Sequence, residues 1–376
     1  MRRKYHFLLL YVLLGLFLTG CAGASYQERA AWKDCHRAGR LIATLPEAPS
    51  SADRDSAEAL LAEKGYSVLR NAENLPEYLE NSDGMRKFLE KISAGEDAAE
   101  SIYQVTKEGN VSSLRFWGKK GSLYATYIVA RPGDKVWQVR ETYQVLDWYL
   151  SERGSFYYQT FYVDDQHYAN YNRIRLQMPD ATLYKWTRDC VLPVGYTGAN
   201  LFLVDWSESS AEELHLEDLW DCFIGWEQGF RPDPETLNFA YNTKGYFEIP
   251  ADRFEQTLFS RFPFSKESFR HLGHYDSATG TYPWVPLESE LAVRFSHPIL
   301  EPEVTACVEQ PDGTRVLMVE VASTDLKTDC LFSHRITVLP LEEGRCRYLG
   351  NQMVIAPPGE YPIRLSRLEV SERMFR

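Results

Sequence analysis

Two histidines and an aspartate near the middle of the C-terminal half are spaced as metal ligands could be. His271 and His274 stand three residues apart, and Asp276 follows. On a helix that continued to residue 274, both imidazoles would face one cation. Gly273 and Tyr275 instead predict that the helix ends there. We therefore interpret the pair as a solvated helix end with histidine near the helix dipole, and we assign no metal and no cofactor.

A run of carboxylates precedes this histidine pair. Calcium takes several carboxylate oxygens, so the run could in principle hold this ion. The pattern places the acids on a helix without the glycine-turned loop of a calcium site, and a solvated helix face is therefore favoured. The acids concerned are Asp205, Glu208, Glu212, Glu213, Glu217, Asp218 and Asp221.

The familiar catalytic motifs are absent from the sequence. There is no phosphate-binding G-x-x-x-x-G-K-[ST] loop, no G-x-G-x-x-G, no G-x-S-x-G, no S-x-x-K and no H-E-x-x-H. Nothing singles out a catalytic residue. Paired carboxylates for glycoside hydrolysis stay open, because their separation of roughly 5–10 Å is a property of the fold.

The N-terminus has the anatomy of a secretory signal. Arg2, Arg3 and Lys4 precede an apolar stretch of 12 residues, Phe7 to Leu18. At about 1.5 Å per residue, this stretch is well short of the roughly 30 Å hydrocarbon core of a bilayer. The sequence therefore predicts a cleaved signal peptide and not a permanent transmembrane helix.

The four residues that end this signal, Leu18-Thr19-Gly20-Cys21, match a lipobox at every position. They predict cleavage before Cys21 and transfer of a diacylglyceryl group to its thiol. Two acyl chains make such anchoring stable, whereas a single chain gives marginal binding. The expected location is the extracytoplasmic face of the cell membrane. The alternative is an ordinary secretory signal with a chance cysteine.

Charge and composition limit the partners. Loss of the first 20 residues would remove three basic groups and no acidic ones, which shifts the formal net charge from −12 to −15. Such a chain is not expected to bind nucleic acid or to adhere broadly to anionic lipid. Aromatic residues make up 14% of the chain, and core positions are expected for most of them. A carbohydrate-binding aromatic face is the alternative.

Six further cysteines are Cys35, Cys190, Cys222, Cys307, Cys330 and Cys346. An exported protein can form disulfides, but six cysteines allow about 15 connectivities. The last three lie in successive predicted strands, which favours a cross-strand bridge among them. The alternative is that all six are buried thiols.

The order of elements predicts an α+β fold in which helices are followed by antiparallel β-meanders, in two units. We assign residues 1–20 to the signal peptide and 21–60 to a lipid-anchored tether with a first helix. Residues 61–188 are predicted to form a helix plus antiparallel meander. Residues 189–376 are predicted to form a second α+β unit with a C-terminal meander.

Periodicity and turn residues predict the elements of the first unit. Helices are expected over Tyr26–Leu45, Ser56–Lys64 and Leu75–Ser93. Strands are expected over Ser101–Lys107, Ser113–Gly118, Leu123–Arg131, Val136–Leu150, Phe156–Val163 and Thr182–Thr187.

In the second unit, a strand Leu201–Trp206 precedes a long helix that Ser207 caps and that continues to Trp226. Helices are also predicted over Ala251–Phe262 and after a Ser265 cap. The remaining strands are Gly245–Ile249, Glu303–Gln310, Arg315–Ala322, Leu331–Leu341 and Arg345–Val354.

Several segments of the second unit resemble those of uncharacterised lipoproteins from Gram-positive, Clostridia-type bacteria. They are Asp189–Trp206, Ile249–Trp284, Thr328–Thr337 and Arg347–Asn351, and the resemblance extends over roughly residues 75–355. It implies a Gram-positive surface lipoprotein of unknown function and transfers no catalytic residue.

The functional expectation is a membrane-anchored envelope lipoprotein that binds a ligand or a partner, or is structural. An envelope protein or a glycan is the expected partner, and the surface around Tyr275, Tyr282 and Trp284 is the first place to look for it, although core packing is expected for each ring. The alternative is an exported hydrolase that uses paired carboxylates on a cell-wall or glycan substrate.

Overall fold

The computed structural model describes residues 26–71, 75–131, 139–160, 171–229, 232–287, 299–358 and 366–374. Its helices are α1 Tyr26–Leu41, α2 Ser51–Glu63, α3 Asp83–Ser93, α4 Ala181–Trp186, α5 Leu216–Gln228, α6 Pro234–Leu237, α7 Ala251–Phe259, α8 Lys266–Leu272 and α9 Arg367–Met374.

Seventeen strands form four sheets in the described part of the chain. They are β1 Ser67–Arg70, β2 Tyr78–Glu80, β3 Ala99–Val105, β4 Val111–Lys119, β5 Ser122–Ala130, β6 Val139–Val145, β7 Asp147–Leu150, β8 Ser155–Gln159, β9 Tyr171–Arg175, β10 Trp206–Ser207, β11 Ala240–Tyr241, β12 Phe247–Pro250, β13 Thr281–Trp284, β14 Leu300–Glu309, β15 Arg315–Ser323, β16 Thr328–Pro340 and β17 Cys346–Ile355.

A six-stranded sheet in the order β2-β1-β3-β4-β5-β6 is the centre of the N-terminal half. The pair β1–β3 is parallel and every other pairing is antiparallel. Successive side chains along its strands point to opposite faces of the sheet. One face packs on α1 and α2 through residues such as Tyr103 and Ile128. The other packs on α3 and the sheet β7-β8-β9 through Ile102 and Phe116.

The C-terminal half has the larger apolar core. A five-stranded antiparallel sheet, β10-β17-β16-β15-β14, packs against α5, α7 and the three-stranded sheet β11-β12-β13. Leu317 and Phe332 from the sheet and Trp220 and Phe254 from the helices are all fully buried. The α+β class is confirmed.

Charged side chains join the two halves. On β9, Arg173 pairs with Glu301 at 2.6 Å and with Asp329 at 3.3 Å, and Arg175 pairs with Glu303 at 2.5 Å. Arg153 and Glu320 form a further pair across the same boundary. These ion pairs therefore bridge the two halves, beside the apolar contact that Leu183 and Trp186 of α4 make with the C-terminal core.

Four predicted elements are wrong, each because tertiary pairing or packing outweighs local pattern. The segment Thr182–Thr187 is helix α4 and not a strand, since Asp180 caps it by accepting from Thr182 and Leu183. The helix predicted over Leu75–Ser93 begins at Asp83, because residues 78–80 pair with β1.

The third and fourth errors concern the helix predicted to begin after Ser207 and the strand predicted before it. Trp206 and Ser207 pair with Asn351 and Gly350 of β17, so the chain is still in a strand there. The predicted strand Leu201–Trp206 is correspondingly a set of turns that ends in this short strand. The helix itself begins at Leu216, about two turns later than predicted.

The disulfide also differs from the prediction. Cys190 and Cys346 are bridged, with their Cα atoms 5.8 Å apart and a sequence separation of 156. Cys307 and Cys330 are unbridged. The pairing could not be read from strand order, because Cys190 lies in the helical turn Thr187–Val191 that packs beside the sheet.

The predicted signal peptide and Cys21 lie outside the described residues. Among the described helices, none is long and apolar enough to cross a membrane.

Candidate functional site

A cleft of about 690 Å³ opens on the C-terminal half. Its walls come from the loop 200–215, the end of α8, the end of β17 and the start of α9. Its apolar lining residues are Leu203, Val204, Leu214, Leu272 and Met353. Its polar lining consists of Asn200, Asp205, Glu212, Glu213, His215, His274, Ser366 and Glu369.

The loop that forms one wall is fixed by two buried amides. Asn200 donates from Nδ2 to the carbonyl of Glu213 and accepts on Oδ1 from the backbone N–H of His215. Asn351 on β17 donates from Nδ2 to the carbonyl of Val204. Both asparagines are buried, so these bonds hold the loop against the sheet. They thereby place the exposed acids of the loop, Asp205, Glu212 and Glu213, at the rim of the cleft.

Glu217 lies beneath the cleft in the first turn of α5. Its carboxylate accepts from the backbone N–H of His274 at 2.7 Å and lies 3.3 Å from Nδ1 of the same residue. The Glu217 side chain is 3% exposed, whereas that of His274 is 62% exposed. The buried carboxylate therefore holds the imidazole at the cleft, and the helix N-terminus favours its charge.

His215 forms the second imidazole of the cleft. Its Nδ1 lies 3.8 Å from Asp218, and its side chain is 17% exposed. Burial lowers the pKa of His215, although the nearby carboxylates of Asp218, Glu369 and Glu217 oppose the shift. At neutral pH this imidazole is therefore uncharged and can both donate and accept a hydrogen bond.

Arg367, the first residue of α9, compensates the negative charges of the buried residues Asp218 and Asp221 on α5. Its guanidinium donates to Asp218 at 2.9 Å and to Asp221, and all three side chains are at most 5% exposed. Burial opposes the charge on Arg367, but the two carboxylates more than offset this and raise its pKa. Asp221 also accepts from the backbone of Leu287 at 3.0 Å and from Trp284 Nε1 at 3.3 Å.

The acidic run is thus divided into two groups, and the prediction of one solvated helix face is wrong. Glu217, Asp218 and Asp221 are buried in the first two turns of α5. Asp205, Glu208, Glu212 and Glu213 precede the helix and are exposed. The later helix start causes the division, since it places only the last three acids on the helix.

The three residues considered as metal ligands, His271, His274 and Asp276, lie in three different local environments. His271 is exposed in the last turn of α8, and α8 ends before Gly273 as predicted. His274 contacts Glu217, and Asp276 accepts from Ala278 in a tight turn. In the described ranges, no three or more His, Cys, Asp or Glu side chains are grouped as metal ligands.

The aromatic residues proposed as a recognition surface are mostly core. Tyr282 and Trp284 are fully buried, and Tyr275 is half-buried against them. Tyr282 stacks on Phe254, with ring centroids 3.9 Å apart. These rings therefore pack beside the segment that follows α8 and do not offer a free aromatic face.

Sequence reasoning missed His215, Asn200 and Glu369 as cleft residues. One signal for His215 was available, because Glu217 and Asp218 have the acidic pattern of a helix's first turn and would place the helix start at residue 216. Nothing local distinguishes Asn200 or Glu369, which reach the cleft through the fold.

The cleft has the chemistry of a cation-binding site. Four carboxylates line it, and among its described lining residues there is no lysine or arginine. Carboxylate oxygens and a neutral imidazole accept the N–H groups of an amine, while the leucines can pack against its carbon chain.

A sequence model of DUF6070, a family of unknown function, matches residues 45–365. This range contains the cleft residues from Asn200 to Met353. Neither a curated protein nor a solved structure matches the chain.

Proposed function

The chain belongs to this family of unknown function, DUF6070, and we propose that it is a lipid-anchored binding protein whose cleft receives an amine-bearing, cationic ligand. The observation that carries the proposal is the cleft itself, which brings four carboxylates and two imidazoles together beside several apolar side chains. The volume of the cleft, about 690 Å³, falls within the roughly 300–1,000 Å³ that is usual for ligand sites.

The sign of the ligand's charge follows from the groups around the cleft. Asp205, Glu212, Glu213 and Glu369 line it, and buried Glu217 lies directly below. Arg367 pairs with Asp218 and Asp221, and the described lining residues of the cleft include no lysine or arginine that would compensate its acids. An anion would meet a field of like charge, whereas an ammonium group would meet several acceptors.

Export and anchoring are supported by two independent features. The lipobox at residues 18–21 supports lipidation of Cys21 at the extracytoplasmic face, and the resemblance to lipoproteins of Gram-positive, Clostridia-type bacteria agrees with it. The Cys190–Cys346 bridge supports an oxidising compartment, because disulfides are rare in reducing cytosol. An anchored protein with a ligand cleft would act as an envelope receptor or capture protein.

The cleft is tested by calorimetric titration with cadaverine, a diamine, and with glutarate, a dianion of the same carbon number. We expect cadaverine to bind and glutarate not to bind. The variant Glu212→Gln with Glu213→Gln should weaken cadaverine binding about tenfold or more. Its matched control, Glu235→Gln with Glu309→Gln, removes two exposed acids elsewhere and should not. Equal loss in both variants, or preference for glutarate, would overturn the assignment.

The anchor is tested in cells grown with a clickable fatty acid. The wild-type chain should take up the label, and Cys21→Ala should not. A labelled Cys21→Ala variant, or an unlabelled wild type, would contradict lipidation at this cysteine without bearing on the cleft.

An exported hydrolase is the second candidate, and the contact between His274 and Glu217 favours it. An imidazole oriented by a buried carboxylate is a common form of general base. Incubation with peptidoglycan fragments and cell-wall glycans would show turnover that His274→Gln abolishes and His271→Gln leaves intact. Turnover that survives in His274→Gln would remove this candidate.

A further inference from the structure

Helix α1 presents a basic face. Its exposed residues are Tyr26, Arg29, Lys33, Arg37, Arg40 and Leu41, and they include four cations and no acid. Residues 29, 33, 37 and 40 recur at helical spacing, so the four cations lie along one side over about 17 Å. We call this set of four cations the α1 basic stripe.

The two acids of α1 do not belong to this face. Glu28 and Asp34 are half-buried. Asp34 lies 3.5 Å from Arg115 on β4 and 3.9 Å from Arg37. In a chain whose net charge is −12, a helix face with only positive exposed charges is a local reversal of sign.

The opposite side of α1 is fixed to the N-terminal sheet. Ala31, Cys35 and Ala38 are fully buried in the core that α1 and α2 form with β4 and β5. The apolar side of α1 is therefore held against the sheet, and its basic stripe faces away from the core.

The proposed anchor lies very close to this helix. Four residues separate Cys21 from Tyr26, and the five residue steps span at most about 18 Å when fully extended. A lipid on Cys21 would thus hold the N-terminus of α1 within about that distance of the membrane. A tether this short allows α1 to lie against the bilayer, and in that orientation the stripe is within the Debye length of about 8 Å from head-group charge at physiological ionic strength.

We propose that the α1 basic stripe lies on the membrane surface and binds anionic phospholipid head groups, which sets the orientation of the anchored protein. The proposal rests on the lipid anchor of the proposed function and names the surface that faces the bilayer. Tyr26 and Leu41, exposed at the two ends of the helix, suit the interfacial region, where amphipathic basic helices insert apolar and aromatic groups.

The test uses the mature full chain purified from membranes in detergent and reconstituted with two kinds of vesicle. One is pure phosphatidylcholine and the other contains phosphatidylglycerol. Flotation with phosphatidylcholine vesicles reports the lipid anchor alone, because those vesicles carry no net charge for the stripe. A chain that fails to float there contradicts the anchor.

Contact of the α1 basic stripe with the membrane is measured separately. A water-soluble reagent acylates exposed lysines, and mass spectrometry gives the rate at each lysine. Lys33 lies on the stripe, and exposed Lys244 in the C-terminal half is the internal control. On phosphatidylglycerol vesicles we expect Lys33 to react at least about fivefold more slowly than on phosphatidylcholine, with 0.5 M salt restoring the rate. Lys244 should react equally on both.

Charge reversal gives the decisive comparison. Arg29→Glu with Arg37→Glu should abolish the slowing at Lys33 and leave flotation on phosphatidylcholine unchanged. The matched control, Lys87→Glu with Lys91→Glu, makes the same change on the exposed side of α3 and should keep the slowing. At about 1 kcal/mol per basic residue, each lost charge corresponds to about fivefold in binding.

Three results would overturn the proposal. The first is equal acylation of Lys33 on both vesicles. The second is slowing that the α3 control abolishes as fully as the stripe variant does. The third is equal slowing by soluble polyphosphate without vesicles, which would point instead to an anionic cell-wall polymer.

Discussion

The carboxylate of Glu217 accepts a hydrogen bond from the backbone N–H of His274 across 57 residues of sequence. The contact joins the first turn of α5 to the segment after α8, and it leaves the imidazole at the cleft. Gly273 is required beside it, because a Cβ there would lie 2.9 Å from Tyr282 and 3.2 Å from Glu217.

We predict that Glu217→Ala lowers the free energy of unfolding by about 1–3 kcal/mol, because it removes the acceptor for the His274 N–H. Glu217→Gln should lose less, since an amide oxygen can still accept. Urea denaturation of both variants measures the difference. The control is Glu213→Gln, an exposed rim acid that should change the stability by less than about 0.5 kcal/mol. A Gln variant as unstable as the Ala variant would show that charge and not the hydrogen bond matters.

His334 predicts a pH dependence of stability. This residue on β16 is fully buried, and its imidazole contacts Tyr196 Oη and Asn351 Oδ1, each at 2.7 Å. Burial lowers the pKa of His334 to about 4. The unfolded chain binds this proton near pH 6.5, so stability is lost as the pH falls from about 6.5 to about 4. The loss should reach about 3 kcal/mol.

His334→Gln isolates this contribution. The variant should be less stable at pH 7.5, but the difference from wild type should shrink as the pH approaches 4. Thermal unfolding across that range provides the measurement, with exposed His271→Gln as the control. Parallel pH profiles for wild type and His334→Gln would contradict the assignment.

The Cys190–Cys346 bridge predicts sensitivity to reduction. It closes a long loop, and its removal should lower the free energy of unfolding by about 2–5 kcal/mol. The double variant Cys190→Ala with Cys346→Ala should therefore unfold at lower urea, and dithiothreitol should shift the wild type but not the variant. Cys307→Ala is the control, with an effect within about 1 kcal/mol. A reductant effect of equal size in the double variant would place the sensitive bond elsewhere.

We predict that replacing Arg367 lowers the free energy of unfolding strongly, and that substitutions of its two partner aspartates restore part of it. Arg367→Met leaves Asp218 and Asp221 buried without their cation, which should cost about 3–5 kcal/mol. Adding Asp218→Asn and Asp221→Asn removes the uncompensated charges and should recover part of the loss. Chemical denaturation of the single and triple variants measures the two free energies of unfolding. A triple variant less stable than Arg367→Met would show that the aspartates contribute independently of the arginine.

Much of the fold follows from local pattern. The C-terminal strands β14 to β17 alternate with turn residues such as Asp312 and Gly313, and their predicted positions are close to the observed ones. The Ser265 cap of α8 is likewise local, since its hydroxyl accepts from the N–H of Ser268 three residues on. In both cases, the cause lies within a few residues of the structure that it produces.

The cleft could not be predicted in this way. Whether the chain at Ser207 continues a strand or starts a helix depends on β17, which lies more than 140 residues later. The same distance separates Asp218 from Arg367, and without that partner three buried acids in one helix would be disfavoured. Pattern reasoning therefore placed these acids in solvent.

What the sequence by itself determined is the α+β class and the meanders, because periodicity and turn chemistry are short-range signals. What only the tertiary structure decided is which carboxylates are buried and which face the cleft, and which cysteine Cys346 joins. Only the packing of α1 on its sheet decided that its basic residues are the ones left exposed. Burial and charge compensation depend on contacts between segments far apart in the chain, and no local pattern encodes them.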